Sequence, residues 1–536
     1  MMKKVLSILL LALTATTISG IPAYRGGIVR TDAEGKEKTV YLHGNAVFHY
    51  MTDAEGNWLD EETLLPLSAE ERTMRTQAGH ARIRARRIEQ EKKVGIELNL
   101  APRGLLILAN FKDVKFTTSI DTIHEMVNGE HFTRSYDYSE GKDTIHISSS
   151  GSVRQYFHDQ SWGQYNPVFD VVGPVELPQD MKYYGANNDI NAPNMIKDAC
   201  QLADQAGVDF TQYDNDNDGQ VDFVYVLYAG YGEADSGEAN TVWPHNYSLS
   251  TAGKNCYVDG KQVDNYACSN ELNYSSKLYN GIGTICHEFS HVLGLPDLYE
   301  TNDPNTSAWK NLHTLLQWDI LDAGPYNNGG NTPPSYSAYE RFFCGWITPY
   351  VLAEPEYIRL YPLEDSRQAL IISATDTHNM DGIQPDPKDF YILECRKKEG
   401  WDQYLPGRGL LITRIRFNRN NWIYNEVNNK ADNMGVDLME ARANTGFSAK
   451  ASDAFPAGAK NWYGIDLPMD YDVTDIKLLT DGSNGVEFSY RYAARPPQGI
   501  EDVQSDKAQW TKVLRDGILY LVHNGAMYNV QGVRVK

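Results

Sequence analysis

The chain has 536 residues, more than a single hydrophobic core organises, so several domains are expected. With 41% hydrophobic and 22% charged residues it has the balance of a soluble globular protein. Its formal net charge of −22 argues against nucleic acid or anionic membrane as a partner, because both repel such a surface.

Lys3 and Lys4 precede an apolar run, Val5 to Leu13, and small residues follow to Gly20 and Ala23. This is the layout of a secretory signal, expected over residues 1–23. The run is too short to span a bilayer and no later stretch is long enough, so no transmembrane segment is expected. From 24 to 95 the pattern predicts short strands (Thr39 to Leu42, Ala46 to Tyr50), then a helix opened by the capping box Ser68 and Glu71. That helix runs into Ala81-Arg-Ile-Arg-Ala-Arg-Arg87, a basic stretch in an acidic chain. It is either a solvated helix face or a cleavage segment for trypsin-like proteases, and its contrast with the rest of the chain favours cleavage. Residues 24–95 then form a propeptide.

Residues 96–346 carry the chemistry. Gly104-Leu-Leu-Ile-Leu-Ala109 and Val221-Asp-Phe-Val-Tyr-Val-Leu-Tyr228 read as buried strands, and Gly151-Ser-Val-Arg-Gln-Tyr-Phe157 opens a helix. Between them, Asp214, Asp216, Asp218, Gln220 and Asp222 follow the spacing of the first part of a calcium loop around Gly219. Position 12 is Tyr225 instead of a bidentate glutamate, and a strand follows, so this is no EF-hand. A polar turn is the alternative to bound calcium.

The run from His287 to Asp297 reads H-E-x-x-H-x-x-G-x-x-D. On a helix, residues four apart share a face, so His287 and His291 can aim two imidazoles at one zinc ion. Glu288 stands beside them as a general base. Gly294 allows the left-handed turn that brings Asp297 back as third ligand. Three protein ligands and an open position describe a catalytic zinc site. Trp318-Asp-Ile-Leu-Asp322 is expected to pass beneath the metal as a floor, with Leu321 where many zinc proteases carry methionine. Tyr326 and Tyr336 are candidate oxyanion donors, and His245 is a candidate cleft residue.

Six cysteines (200, 256, 268, 286, 344 and 395) are compatible with disulfides outside the cytoplasm. Cys256 and Cys268 bracket a hairpin at Asp259-Gly260 and are the best-placed pair, with isolated buried thiols the equal alternative. After Trp346 the pattern turns β-rich over 347–495, with strands at Phe390 to Glu394 and Gly409 to Ile415. Pro496-Pro497 marks a linker to a small C-terminal β-unit, 496–536.

Taken together, these residues resemble the immune inhibitor A-like secreted zinc metalloproteases. The resemblance rests on His287, Glu288, His291, Gly294 and Asp297 in one motif, since aspartate as third ligand at this spacing is that family's signature. It extends to the 151–157 segment, Ser161-Trp-Gly-Gln164, Asp170-Val-Val-Gly-Pro174, the acidic loop with Ala229-Gly230, Trp243-Pro-His245, Gly400-Trp-Asp402 and Leu405-Pro-Gly407. Ser290 (where glycine is usual) and Leu321 depart from the family pattern without removing a ligand or the base. The resemblance implies an α+β multidomain chain: propeptide, metzincin-like catalytic domain, β-rich domain and C-terminal unit. The C-terminal unit resembles tails that direct export or attach secreted bacterial proteins to the cell surface. The expected location is therefore extracellular or on a bacterial cell surface.

The reading is a secreted zinc endopeptidase, made as a zymogen, acting on protein or peptide substrates. A non-catalytic surface binding protein on the same scaffold and a zinc amidase acting on a non-protein substrate are the alternatives. No cysteine precedes Cys200, so no propeptide thiol can block the zinc. Latency then falls to a carboxylate, a histidine such as His43 or His49, or steric occlusion.

Overall fold

A computed structural model describes residues 20–90, 96, 98–140, 142–301, 314–442, 448–464, 466–467 and 471–494. In the C-terminal region it describes 511–515, 518–523, 526–529 and 534–535. Most of the expected signal and the Pro496-Pro497 linker lie outside the described residues. The chain forms two compact units, 1–493 and 494–536. The second carries a four-stranded antiparallel sheet of Thr511–Arg515, Ile518–His523, Ala526–Tyr528 and Arg534–Val535. Among the described residues no helix is long and apolar enough to cross a membrane.

The first unit opens with an antiparallel sheet of Gly27–Thr31, Glu37–Gly44, His49–Thr52 and Trp58–Leu59. The expected strand at Ala46 to Tyr50 starts only at His49. Asn45 accepts hydrogen bonds from the N–H groups of Val47 and Phe48, at 2.8 and 3.2 Å, and bends that apolar run into a buried turn. Helix α1, Ala69–Gln90, begins at the expected capping box: Glu71 N–H donates to the Ser68 hydroxyl and Ser68 N–H to the Glu71 carboxylate. The basic stretch is helical, with Arg84 exposed and Arg82 Nε donating to the Val47 carbonyl at 2.8 Å. A protease must unwind this end of the helix to cut it.

The middle of the unit is a five-stranded sheet. In chain order its strands are β1 (Arg103–Asn110), β2 (Val168–Glu176), β3 (Val224–Tyr231), β4 (His245–Ser248) and β5 (Asn265–Leu272). Their spatial order is β4-β5-β3-β1-β2, parallel except for the antiparallel edge strand β4. Side-chain alternation divides the core. Leu106, Leu108, Tyr225 and Leu227 join the cluster that contains Phe289, whereas Leu105, Ile107, Val224 and Val226 join one containing Ala199 and Cys200. Helix α2, Gly283–Val292, thus lies on the first face and carries the zinc motif. The predicted strand at 221–228 is interrupted, with Gln220–Val221 pairing elsewhere before β3 begins.

Beyond α2 stand a five-stranded sheet (Tyr350–Val351, Leu370–Ile372, Asp389–Arg396, Gly409–Arg416, Val436–Leu438) and a three-stranded one (Glu356–Leu360, Val486–Tyr490, Val473–Leu478). The core does not break at 346: the cluster holding Phe289 continues through Trp401, Leu411, Ile415 and Leu438. All six cysteines are free and buried. Cys256 lies in contact with Cys200, and Cys268 Sγ with His245 at 3.4 Å, so the Cys256–Cys268 pairing does not form.

The N-terminal sheet is fastened to the middle of the unit by a buried ion pair. His49 Nε2 stands 3.1 Å from Glu233 Oε1, and its ring stacks on Trp243 at 4.6 Å. Burial alone would lower the His49 pKa from 6.5, but the Glu233 carboxylate outweighs it and raises the value. A raised histidine pKa stabilises the fold fully below its unfolded value and less as pH climbs through the folded one. The thermal midpoint is therefore expected to fall as pH rises above 6.5, and the slope to flatten in His49→Gln. Equal slopes in the two proteins, followed by calorimetry across that range, would remove the ion pair from this account.

Candidate metal centre and active site

Helix α2 is buried along nearly its whole length, including His287, Glu288 and Ser290. Buried imidazoles need partners on both nitrogens. His287 Nδ1 meets the Ile320 carbonyl at 2.7 Å and His291 Nδ1 the Leu295 carbonyl at 2.9 Å. Both contacts assign the proton to Nδ1 and leave Nε2 as a lone-pair donor. The rings stand nearly perpendicular, at 87°, with their Nε2 atoms 3.2 Å apart.

Gly294, at φ 95°, makes the expected left-handed turn, and Asp297 returns to the histidines. Asp297 Oδ1 lies 3.3 Å from His287 Nε2 and 3.0 Å from His291 Nε2. Ligands about 2.0–2.1 Å from a tetrahedral zinc stand about 3.3 Å from one another. The three spacings therefore fit a zinc ion, and the buried Asp297 Oδ1, which has no hydrogen-bond partner, is the atom such an ion would satisfy. Burial would raise the Asp297 pKa, but His291 and His287 hold it well below the usual carboxylate range. Burial alone would lower the His291 imidazole, and Asp297 outweighs it to lift it to about 9. His287 is lowered, chiefly by burial.

Asn425, from beyond the middle sheet, fixes the third ligand. Its Nδ2 donates to Asp297 Oδ2 at 2.5 Å while its Oδ1 accepts from Asp297 N–H at 2.6 Å. The chain gave no local signal for it, since 128 residues separate the pair. The turn at 319–322 packs against the motif. Ile320 supplies the carbonyl that orients His287, and Leu298 N–H donates to Leu321 O at 2.9 Å.

Glu288 is wholly buried and within 4.8 Å of both imidazoles. Burial pushes its carboxyl up to about 8, against the opposing pull of His291 and an N–H donor. That donor is the backbone N–H of Ile21, 2.8 Å from Glu288 Oε1. Residues 20–23 run through the site as a buried strap. Trp243 Nε1 donates to Ile21 O at 2.9 Å, Tyr326 Oη to Pro22 O at 2.7 Å, and Tyr299 Oη to Gly20 O. Sequence reasoning missed Tyr299 and Trp243 as site residues.

The remaining candidates divide. Tyr326 reaches the strap. Tyr336 is locked in the aromatic core, stacked on Trp346 with its hydroxyl on Ser290, away from any oxyanion. His245 lies beside Gly20, but its imidazole turns to Trp243 O and the Tyr266 hydroxyl. Neither His43 nor His49 reaches the triad, because His43 bonds Thr52 and His49 pairs with Glu233. In the acidic loop Asp214, Asp216 and Asp218 converge within 4.8 Å. Gln220 instead hydrogen-bonds Asp218, Asp222 accepts from Asn215, and Lys261 Nζ stands 2.5 Å from Asp214.

Residues 101–345 match the model described as immune inhibitor A peptidase M6, catalytic domain. The pre-pro-metalloprotease PrtV of Vibrio cholerae serotype O1 is 25% identical over 287 residues, 46% of this chain and 30% of its own length. Immune inhibitor A of Bacillus thuringiensis subsp. alesti is 25% identical over 279 residues, 45% of this chain and 39% of its own. The chain thus spans less than two fifths of either relative.

Replacing Asn425 by alanine is expected to weaken metal affinity about 10–100-fold, the usual effect of losing a group that orients a ligand. Competition with a chromogenic chelator measures it. Wild-type affinity in the variant would mean that Asn425 only packs.

Proposed function

With residues 101–345 a peptidase M6 catalytic domain, we propose that the protein is a secreted zinc-dependent endopeptidase held latent by its own N-terminal strap. The observation that carries the reading is the convergence of His287 Nε2, His291 Nε2 and Asp297 Oδ1 beside an independent carboxylate, Glu288. Zinc bound by these three residues would supply Lewis-acid polarisation of the scissile carbonyl and an acidified water. Glu288 takes the proton of the attacking water and returns it to the leaving amine. Burial raises the pKa of its carboxyl, which favours handing the proton on to the leaving amine. His287 and His291 keep their orientation through the Ile320 and Leu295 carbonyls, and Asp297 through Asn425. The surface-binding and amidase alternatives gain no support from relatives that are named as metalloproteases or as immune inhibitor A.

Latency rests on the strap. An N–H that donates to Glu288 engages the oxygen needed for water, and the chain around it fills the space a substrate would use. Gly20 suits this seat: a Cβ there would lie 2.3 Å from the Pro244 carbonyl oxygen. On this reading the secretory signal ends before Gly20, because a cut at 20 or 23 would remove part or all of the strap itself. Release follows cleavage in the basic end of α1.

Two outcomes are expected. Full-length protein should cleave casein slowly and trypsin-nicked protein at least ten-fold faster, while Glu288→Gln keeps its zinc and loses about three orders of magnitude of turnover in either form. Equal rates before and after nicking would end the latency reading; an active, zinc-loaded Glu288→Gln would end the assigned role of Glu288. The same reading includes a calcium ion at Asp214, Asp216 and Asp218, displacing Lys261 from its contact. Added calcium should then raise the thermal midpoint of the wild type and leave Asp216→Asn unchanged, and a flat wild-type response would remove the ion.

A further inference from the structure

The strap is gripped at one particular peptide unit. Glu288 Oε1 accepts from the Ile21 nitrogen at 2.8 Å, and the carbonyl oxygen of that same unit, Gly20 O, accepts from the hydroxyl of Tyr299. A hydrolase that passes its proton through one glutamate must bring the leaving nitrogen to that glutamate. An N–H donating to Glu288 reproduces the contact of the amine as it departs. The Gly20–Ile21 unit therefore marks the place where a substrate bond is cut. The next two carbonyls are held as well, Ile21 O by Trp243 Nε1 at 2.9 Å and Pro22 O by Tyr326 Oη at 2.7 Å.

From this geometry we infer that Tyr299 is a catalytic residue: its hydroxyl holds the oxygen of the scissile carbonyl and stabilises the charge that gathers there. Trp243 and Tyr326 grip the main chain on the leaving-group side. The inference rests on the endopeptidase reading and assigns the oxyanion role away from Tyr326 and Tyr336. Tyr299 is suited to it in three respects. It follows Asp297 by two residues, so the ligand turn fixes its backbone. It is 3% exposed, so its hydrogen bond acts in a water-poor site. Its hydroxyl is also a donor whose proton need not move. In the step itself water oxygen adds to the carbonyl carbon and the carbon–nitrogen bond breaks. The water proton travels through Glu288 to the nitrogen, while Tyr299 keeps its own proton throughout. Trp243 is held within the catalytic region itself, its backbone N–H donating to Asp189 Oδ2 at 3.1 Å. Both partners read main-chain atoms only, so side-chain selection falls to the seat of Gly20, where a Cβ would lie 2.3 Å from the Pro244 carbonyl oxygen.

The test uses the full-length chain, nicked with trypsin where that raises activity, with metal content measured for each variant. Tyr299→Phe should lower kcat about 10²–10³-fold with little change in KM. Trp243→Phe should instead raise KM about ten-fold, as expected for a lost ground-state hydrogen bond. A phosphinic Gly-Ile-Pro peptide, imitating the tetrahedral oxyanion, should lose affinity for Tyr299→Phe by the same factor as kcat/KM, whereas the plain Ile-Pro-Ala peptide should bind it like wild type. Wild-type kcat in Tyr299→Phe would overturn the inference. So would a rate loss matched by metal loss, because the residue would then only support Asp297. Absence of any proteolysis by metal-loaded wild type would sink the endopeptidase reading and this inference with it.

Discussion

Burying His287, Glu288 and Asp297 completely obliges the fold to find a partner for each of their polar atoms. An unpaired buried polar group costs on the order of 1–3 kcal/mol, and a charged one more. Much of the architecture around α2 answers that demand. The 319–322 turn brings up the Ile320 carbonyl, the helix end provides Leu295 O, and Asn425 arrives from the far side. What stays unanswered is Glu288 Oε2, Asp297 Oδ1 and the Nε2 lone pairs, the last three facing one another. Three acceptors facing inward at such spacing repel unless a cation or protons join them.

The same demand explains what could be read from the chain alone. His287, Glu288, His291, Gly294 and Asp297 were legible because helix periodicity and one glycine turn connect them within eleven residues. The central strands were legible from unbroken apolar runs, as was the capping box at Ser68. Asn425, Ile21, Tyr299 and the His49–Glu233 pair were not, because their partners lie 128 to 279 residues away and no local spacing encodes the meeting. In the acidic loop Asp214, Asp216 and Asp218 converge as the spacing suggested, whereas Asp222 and Gln220 hydrogen-bond the loop backbone and its side chains. Tyr336 and His245 were plausible by residue type, and their burial among Trp346, Tyr266 and Cys268 decided otherwise.

The β-rich region is joined to the centre by more than Asn425. Asn428 Nδ2 donates to Leu298 O at 2.7 Å, one residue past the third ligand. Arg396, wholly buried, pairs with Asp402 at 2.6 Å and donates to Ser335 O, and Ser335 N–H donates to Asp402 at 2.9 Å. With apolar packing continuous from Phe289 to Leu438, the sheets after 346 complete the hydrogen-bond shell of the metal loop. A change in this region can therefore reach the chemistry without touching a ligand.

Because the strap is covalently attached to the domain it fills, it never has to find its site. Tethered segments act at an effective concentration in the millimolar range, so even weak contacts keep such a site occupied. On the latency reading, one cut in the intervening chain turns these contacts, and those of the attached sheet, into a bimolecular equilibrium that dilution weakens. On that reading the four buried residues from Gly20 to Ala23 leave together with the sheet they are joined to, which the His49–Glu233 pair also holds to the middle of the unit.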